Sequence, residues 1–178
     1  MIQLRVGRVS LFLMIAGFVA CGGDGGDGGA TADTVAAQNA SSPPATPMQL
    51  TAGQFGQLRW IEGTWRGSGV EQPTFYERYA FVDDSTIRAE SSSDSTFPNA
   101  DEASHIVLRE GKAVTGDGTY EWSVTSIDAR SVHFEPTLVA TNAFTWTSDA
   151  DSAWTARLTW NAPDGTPNER IYQMRRMP

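Results

Sequence analysis

Among 178 residues there is one cysteine and only two histidines, and 21 acidic residues outnumber 13 basic ones. A lone thiol cannot build a disulfide framework or a thiolate metal cluster, so any folded domain must be held by its core. The shortage of basic residues leaves a net charge of −8, which repels nucleic acid and anionic headgroups. No nucleic-acid partner is expected. Long apolar runs are lacking too. The longest, residues 9–20 (VSLFLMIAGFVA), has twelve residues. Twelve helical residues rise about 18 Å, well short of a hydrocarbon core roughly 30 Å thick.

What the N-terminus does have is Arg5 and Arg8 ahead of that apolar run, and Cys21 at its end. This is the pattern of a secretory signal. Phe18-Val19-Ala20-Cys21 resembles a bacterial lipobox, with phenylalanine where leucine is usual. The resemblance implies that 1–20 is a lipoprotein signal peptide and that Cys21 receives a diacylglyceryl group on sulfur and an acyl chain on its amine. Each buried methylene contributes about 0.8 kcal/mol, so two or three chains anchor firmly. Glycine at position 22, where aspartate would signal inner-membrane retention, implies the periplasmic side of the outer membrane in a cell with two membranes. The expected membrane contact is the acylated Cys21, and no thiol then remains for catalysis.

Residues 21–50 read as the lipidated cysteine and a linker. GGDGGDGGATADTVAAQNASSPPATP, residues 22–47, has almost no large apolar side chain and cannot offset its chain entropy by burial. The glycine part is flexible and the Ser-Ser-Pro-Pro part more extended, with an r.m.s. reach of about 30 Å. GGDGGDGG lacks the Lys-Ser/Thr and preceding strand of a phosphate loop, and calcium repeats occur in series.

Residues 51–178 are enough for one domain with a real core, and carry eleven basic against eighteen acidic residues. Thr51 is placed to cap a short helix whose Phe55, Leu58 and Trp60 share one side, although Gly53 and Gly56 limit its length. Beyond Gly63 come short alternating runs at 64–70, 74–82, 85–92, 104–110, 112–114, 120–127, 130–135, 143–147, 153–160 and 169–177. Turn residues such as Asp83-Asp84, Gly111, Asp117-Gly118, Asp128-Ala129 and Pro163-Asp164-Gly165 separate them. Hairpin-length links without a long helix predict an all-β, antiparallel up-and-down barrel of about 8–10 strands. Closure removes exposed edges and leaves room for one small ligand. A β-sandwich is the alternative, but its long crossovers are missing.

Gly63-Thr64-Trp65, opening the first strand after a short helix, resembles the Gly-x-Trp signature of the calycins, which include the lipocalins. The resemblance implies that Trp65 packs at the closed end of a barrel under a basic side chain from the last strand. Arg175 and Arg176 are the candidates, and alternation lets only one of them reach. More closely, Leu58-Arg-Trp60-Ile-Glu-Gly63-Thr-Trp65, Tyr76-Glu77-Arg-Tyr79, Phe134-Glu135-Pro136 and Tyr172-Gln-Met-Arg-Arg176 resemble the lipocalin-like domains of unknown function carried by bacterial envelope proteins. That likeness covers 57–177 and implies a fold without an activity. Trp65-Arg66-Gly67 is also similar to the opening of nitrobindin-type barrels, which hold haem through a histidine. Here Asn168 stands at the matching position, and a carboxamide ligates iron poorly. No cofactor is expected.

Catalytic constellations are thin. His133 and Glu135 share a strand face, as two metal ligands would, but a third from His105 needs a neighbouring strand. Arg66-Gly67-Ser68-Gly69 lacks the first glycine of a nucleophile elbow, and no helix follows. Glu77 is more informative, because Phe75, Tyr79 and Phe81 lie on its face. If that face is the interior, Arg88, Arg157 or Arg170 is the expected partner, giving a polar anchor with Tyr79 in an apolar pocket. Six tryptophans supply core, with any surplus lining such a pocket. On strand 153–160 Trp154, Ala156, Leu158 and Trp160 share one face and Arg157 the other. The expectation is a non-catalytic envelope lipoprotein binding a small apolar or amphipathic molecule. The alternative is a structural or interaction lipoprotein whose barrel is filled by its own side chains.

Overall fold

The computed structural model describes residues 46–98 and 103–178. The signal segment, Cys21 and most of the linker lie outside the described residues.

Ten strands follow a short helical entry. They are β1 (Gly63–Gly69), β2 (Gln72–Asp83), β3 (Thr86–Ser92), β4 (Ala103–Arg109) and β5 (Lys112–Gly116), then β6 (Glu121–Ile127), β7 (Ser131–Leu138), β8 (Asn142–Ala150), β9 (Ala153–Asn161) and β10 (Pro167–Arg176). Each strand pairs antiparallel with its sequence neighbours, and β10 returns to β1, closing the barrel. This is the predicted up-and-down barrel, and the sandwich is excluded. Period-two alternation explains the closure. In β9, Trp154, Ala156 and Leu158 are buried while Arg157 is exposed, so one face of each strand can be shared as a common interior.

The turns are pinned by aspartates. Asp83 accepts from the backbone N–H and hydroxyl of Ser85, Asp94 from Thr96, Asp117 from Thr119 and Tyr120, and Asp164 from Thr166. Donors aimed at these exposed carboxylates hold them below the usual aspartate range.

The helical entry closes one end of the barrel. Thr51 caps α1 (Ala52–Phe55) in a capping box with Gln54, and the chain then tightens into a 3-10 helix, Gly56–Ile61. That tightening corrects the expected face. Three residues per turn put Phe55, Leu58 and Ile61 in line, all fully buried, whereas Trp60 is only half-buried. Upstream, the backbone N–H of Met48 donates to Val124 O and that of Leu50 to Gly111 O, so the entering segment is also fixed to this end.

Candidate ligand site

The closed end explains Gly-x-Trp. Trp65 is buried, its indole N–H donates to Ile61 O at 2.6 Å, and the Arg176 guanidinium lies 4.3 Å from its ring centroid. Arg176 also donates to Glu62 O (2.8 Å), Trp60 O (3.3 Å) and Asp151 O (3.0 Å), tying three chain segments together. Gly63 has φ +126°, and a Cβ there would collide with Arg176 Nη1. Glycine is therefore required by both backbone and space. Arg175 pairs with Arg66 in register and is exposed. Arg176 is the closing residue.

Above this floor rings touch along the interior. Trp154 lies 5.5 Å from Trp146 and 6.1 Å from each of Trp65 and Tyr79, centroid to centroid. Trp146 leads to Phe134 (5.1 Å), which stacks on Phe144 at 4.5 Å, and Phe144 meets Trp122 at 5.9 Å. On the other wall Phe75 lies edge-on to Tyr172 at 5.4 Å and covers Gly67, where a Cβ would meet its ring.

Glu77 lies within this aromatic interior. Register sets Trp65 of β1 and Ser91 of β3 beside it, with Phe75 and Tyr79 two residues away on its own strand. The residue is 3% exposed. Tyr79 donates its hydroxyl to Glu77 Oε2 at 2.6 Å, while Oε1 has no hydrogen-bond partner among the described residues. Burial pushes the Glu77 carboxyl up to about 7, the Tyr79 bond pulling the other way. Burial, and then the neighbouring carboxylate charge, raises the Tyr79 phenol well above its ordinary value.

The expected arginine partners require correction. On β3, Ile87 and Ala89 are buried within the barrel, so Arg88 faces out, where it pairs with Glu90. On β9, Arg157 faces out between Ala156 and Leu158 and donates to Glu169 at 2.8 Å. Arg170 shares the inward parity of Tyr172, but its guanidinium lies 5.8 Å from the Trp160 centroid. Among the described residues no basic side chain pairs with Glu77. Of the interior rings, Trp146 touches Tyr79 at 5.8 Å, and Phe144, stacked on Phe134, was not foreseen as lining the site. Parity on β8, where Asn142, Phe144 and Trp146 alternate with smaller residues, held the signal.

The barrel interior has two more polar groups without a partner among the described residues, the Trp154 indole N–H and the Thr115 hydroxyl. Thr115 pairs in register with Trp122 toward the open end.

The outer wall carries different clusters. Arg78 Nε donates to the buried Glu90 at 2.5 Å, and the Phe97 ring covers that guanidinium at 4.7 Å. This is a covered ion-pair network on the outside of the sheet. His133 lies outside too, with Nδ1 2.7 Å from Thr145 Oγ1 and Nε2 2.8 Å from Glu135 Oε1. The chain of three resembles a hydrolytic relay, yet β7 and β8 are each paired on both sides. Their ladders occupy the backbone donors an oxyanion would need. His105 is on β4, separated from β7 by two intervening strands, and no group of three metal-ligating side chains forms among the described residues. Asn168, at the position of the haem-ligating histidine, is exposed and donates to Thr166 O at 3.1 Å. This donor set does not fit haem iron.

No protein-family model matches this chain, and no curated protein matches it. The solved structures that resemble it include engineered barrels. One, EF1p2_mFAP2b bound to DFHBI, is 10% identical, with 70% of this chain and 99% of that chain covered at TM-score 0.36. The redesigned β-barrel mFAP1 bound to DFHBI is 12% identical, covering 67% and 96% at TM-score 0.32. A further redesigned barrel, b11L5F_LGL, is 11% identical, covering 75% and 100% at TM-score 0.32. Likenesses this distant carry no argument about ligands. The fold rests on this chain's own closed sheet.

Proposed function

We propose that the domain is a carrier or receptor for a small amphipathic molecule held inside the barrel, tethered to the bacterial envelope through acylated Cys21. The observation that supports it is the Glu77–Tyr79 pair, a buried polar group with one unpartnered carboxyl oxygen, set among rings in a closed barrel. A stability core gains nothing from such a group, since burying a carboxyl without full hydrogen bonding costs free energy. Binding sites are built this way, with apolar walls and a few polar groups that fix orientation. Ten strands also make a wider barrel than the eight that hold one small ligand in lipocalins. The lipobox-like end of the signal supports the tether, with the periplasmic side of the outer membrane as its address. The lipocalin-like family is the one the motif pattern supports.

Native mass spectrometry of the full chain purified from its source tests the carrier reading. A co-purifying small mass, lost on denaturation, is expected; bare protein together with no connected interior void in a crystal structure would overturn it. For the tether, an alkyne fatty acid should label the chain, and Cys21→Ala should abolish the label. Persistent label in that variant overturns the lipoprotein assignment. The unbroken run of ring contacts from Trp65 to Trp122 favours a second reading, a barrel filled by its own side chains. Bare protein is the outcome that reading expects.

A further inference from the structure

Resting on the carrier reading, we infer that the interior site selects a ligand with a protonated nitrogen: a small primary or secondary amine with an apolar or aromatic body. The chemistry comes from what faces Glu77. Its Oε1 is an acceptor with no donor, and its Oε2 already takes the Tyr79 hydroxyl. An ammonium N–H supplies the missing donor and the missing positive charge together, which a neutral ligand does only in part. The surrounding rings add to the preference, since their faces attract cations, especially where water is excluded.

The basic side chains are committed elsewhere. Arg88 and Arg157 are ion-paired on the outer wall. Arg176 is bound to the Trp65 ring and to three carbonyl oxygens at the closed end. The Arg170 guanidinium lies over the Trp160 ring, 5.8 Å from its centroid. From β1, Trp65 is beside Glu77; from β3, Ala89 and Ser91 face inward; from the opposite wall come Trp146 and Trp154. Among the described residues Tyr79 is thus the one titratable neighbour, and it donates a hydrogen bond without carrying positive charge. A fatty acid or other anion would bring a second negative charge against the same carboxyl, and the net charge of −8 disfavours its approach. The arginine-anchored pocket expected from sequence would have had the opposite selectivity.

Three probes with one ring system separate these cases: 2-naphthylethylamine, 2-naphthylethanol and 2-naphthylacetate, each titrated calorimetrically into the full chain at pH 6 and pH 8. The amine is expected to bind at least tenfold more tightly than the other two, and more tightly at pH 8, where Glu77 is ionised and the amine still protonated. Glu77→Gln should reduce that preference to within about threefold. Tyr79→Phe, which keeps the carboxyl, should keep the preference, and near-UV circular dichroism checks that each variant is folded. Equal binding of amine and alcohol, or tighter binding of the acetate, overturns the cation preference and leaves the carrier reading standing. Binding of none of the three also overturns the inference, and the co-purified mass then decides the carrier reading separately. A cation preference that survives Glu77→Gln in a folded chain overturns the assignment to this carboxyl.

Discussion

At the closed end of the barrel the chain is tied down by many contacts at once, whereas the links described at the opposite end leave apolar side chains exposed. The helical entry, the segment before it, the Trp65 indole and the Arg176 guanidinium all meet at the floor. The β1–β2, β3–β4 and β7–β8 links at the opposite end hold Glu71, Phe97 and Val139, non-glycine residues with φ near +50°, and Glu110 in the β4–β5 link has the same geometry at the closed end. Val70, Leu138 and Val139 are exposed there despite being apolar. Positive φ is costly for a β-branched residue such as Val139. The difference teaches where the constraints lie: the ties that hold the chain are gathered at the floor, while backbone strain is carried at both ends.

The sharpest way to break that contrast is to empty the floor. Trp65→Ala should cost about 3–5 kcal/mol, a buried aromatic lost with a cavity left behind. Leu138→Ala at the rim should stay within about 0.5 kcal/mol. Urea unfolding of both variants compares the ends directly.

Glu77, between floor and mouth, sets a pH dependence. Its folded carboxyl titrates near 7, above the value of 4.5 it has when unperturbed. The folded state therefore binds the proton more tightly. The stability this provides is fully present below about pH 4.5 and is lost as pH rises to about 7. The loss amounts to about 3 kcal/mol. Glu77→Gln removes it, so the difference between the two proteins, measured by chemical denaturation at pH 5 and pH 8, isolates the effect. The turn aspartates act the other way, stabilising above their usual titration range and failing as pH falls through their depressed values.

Smaller changes refine the floor. Gly63→Ala places a side chain at φ +126° and against Arg176, and should cost about 2 kcal/mol. Arg176→Lys keeps charge but loses the planar stack and the fork of hydrogen bonds, costing about 1 kcal/mol. The same change at exposed Arg175 should be silent. At the rim the sign reverses. Val139→Asn puts a residue tolerant of positive φ at a strained site and should stabilise by about 0.5 kcal/mol. Thermal melts compare these four variants.

The parts legible in the sequence were those governed by alternation along a single strand. Glu77 with Phe75, Tyr79 and Phe81 on β2 followed from period two, as did the faces of β9, and turn residues gave the hairpins and hence the meander. What was hidden depends on pairs of strands. Arg88 shares a wall with Glu77 but opposite parity, and one residue's shift decides inside from outside. The choice between Arg175 and Arg176 had the same origin, settled by which of them reaches Trp65 past Gly63. Outer-face burial of Glu90 needed Phe97, delivered by an irregular link with no periodicity to read. The 3-10 entry looked like a plain α-helix because Phe55 and Leu58 fit either period, and only Ile61 distinguishes them.

An interior site requires the Glu77 carboxyl to be buried and inward-facing. Carbon-13 NMR of the side-chain carboxyls, assigned with Glu77→Gln, follows its ionisation in the ligand-free full chain. A midpoint near 7, falling when 2-naphthylethylamine is bound, is the expected result. A midpoint near 4.5, unmoved by the amine, would place Glu77 in water and contradict an interior site.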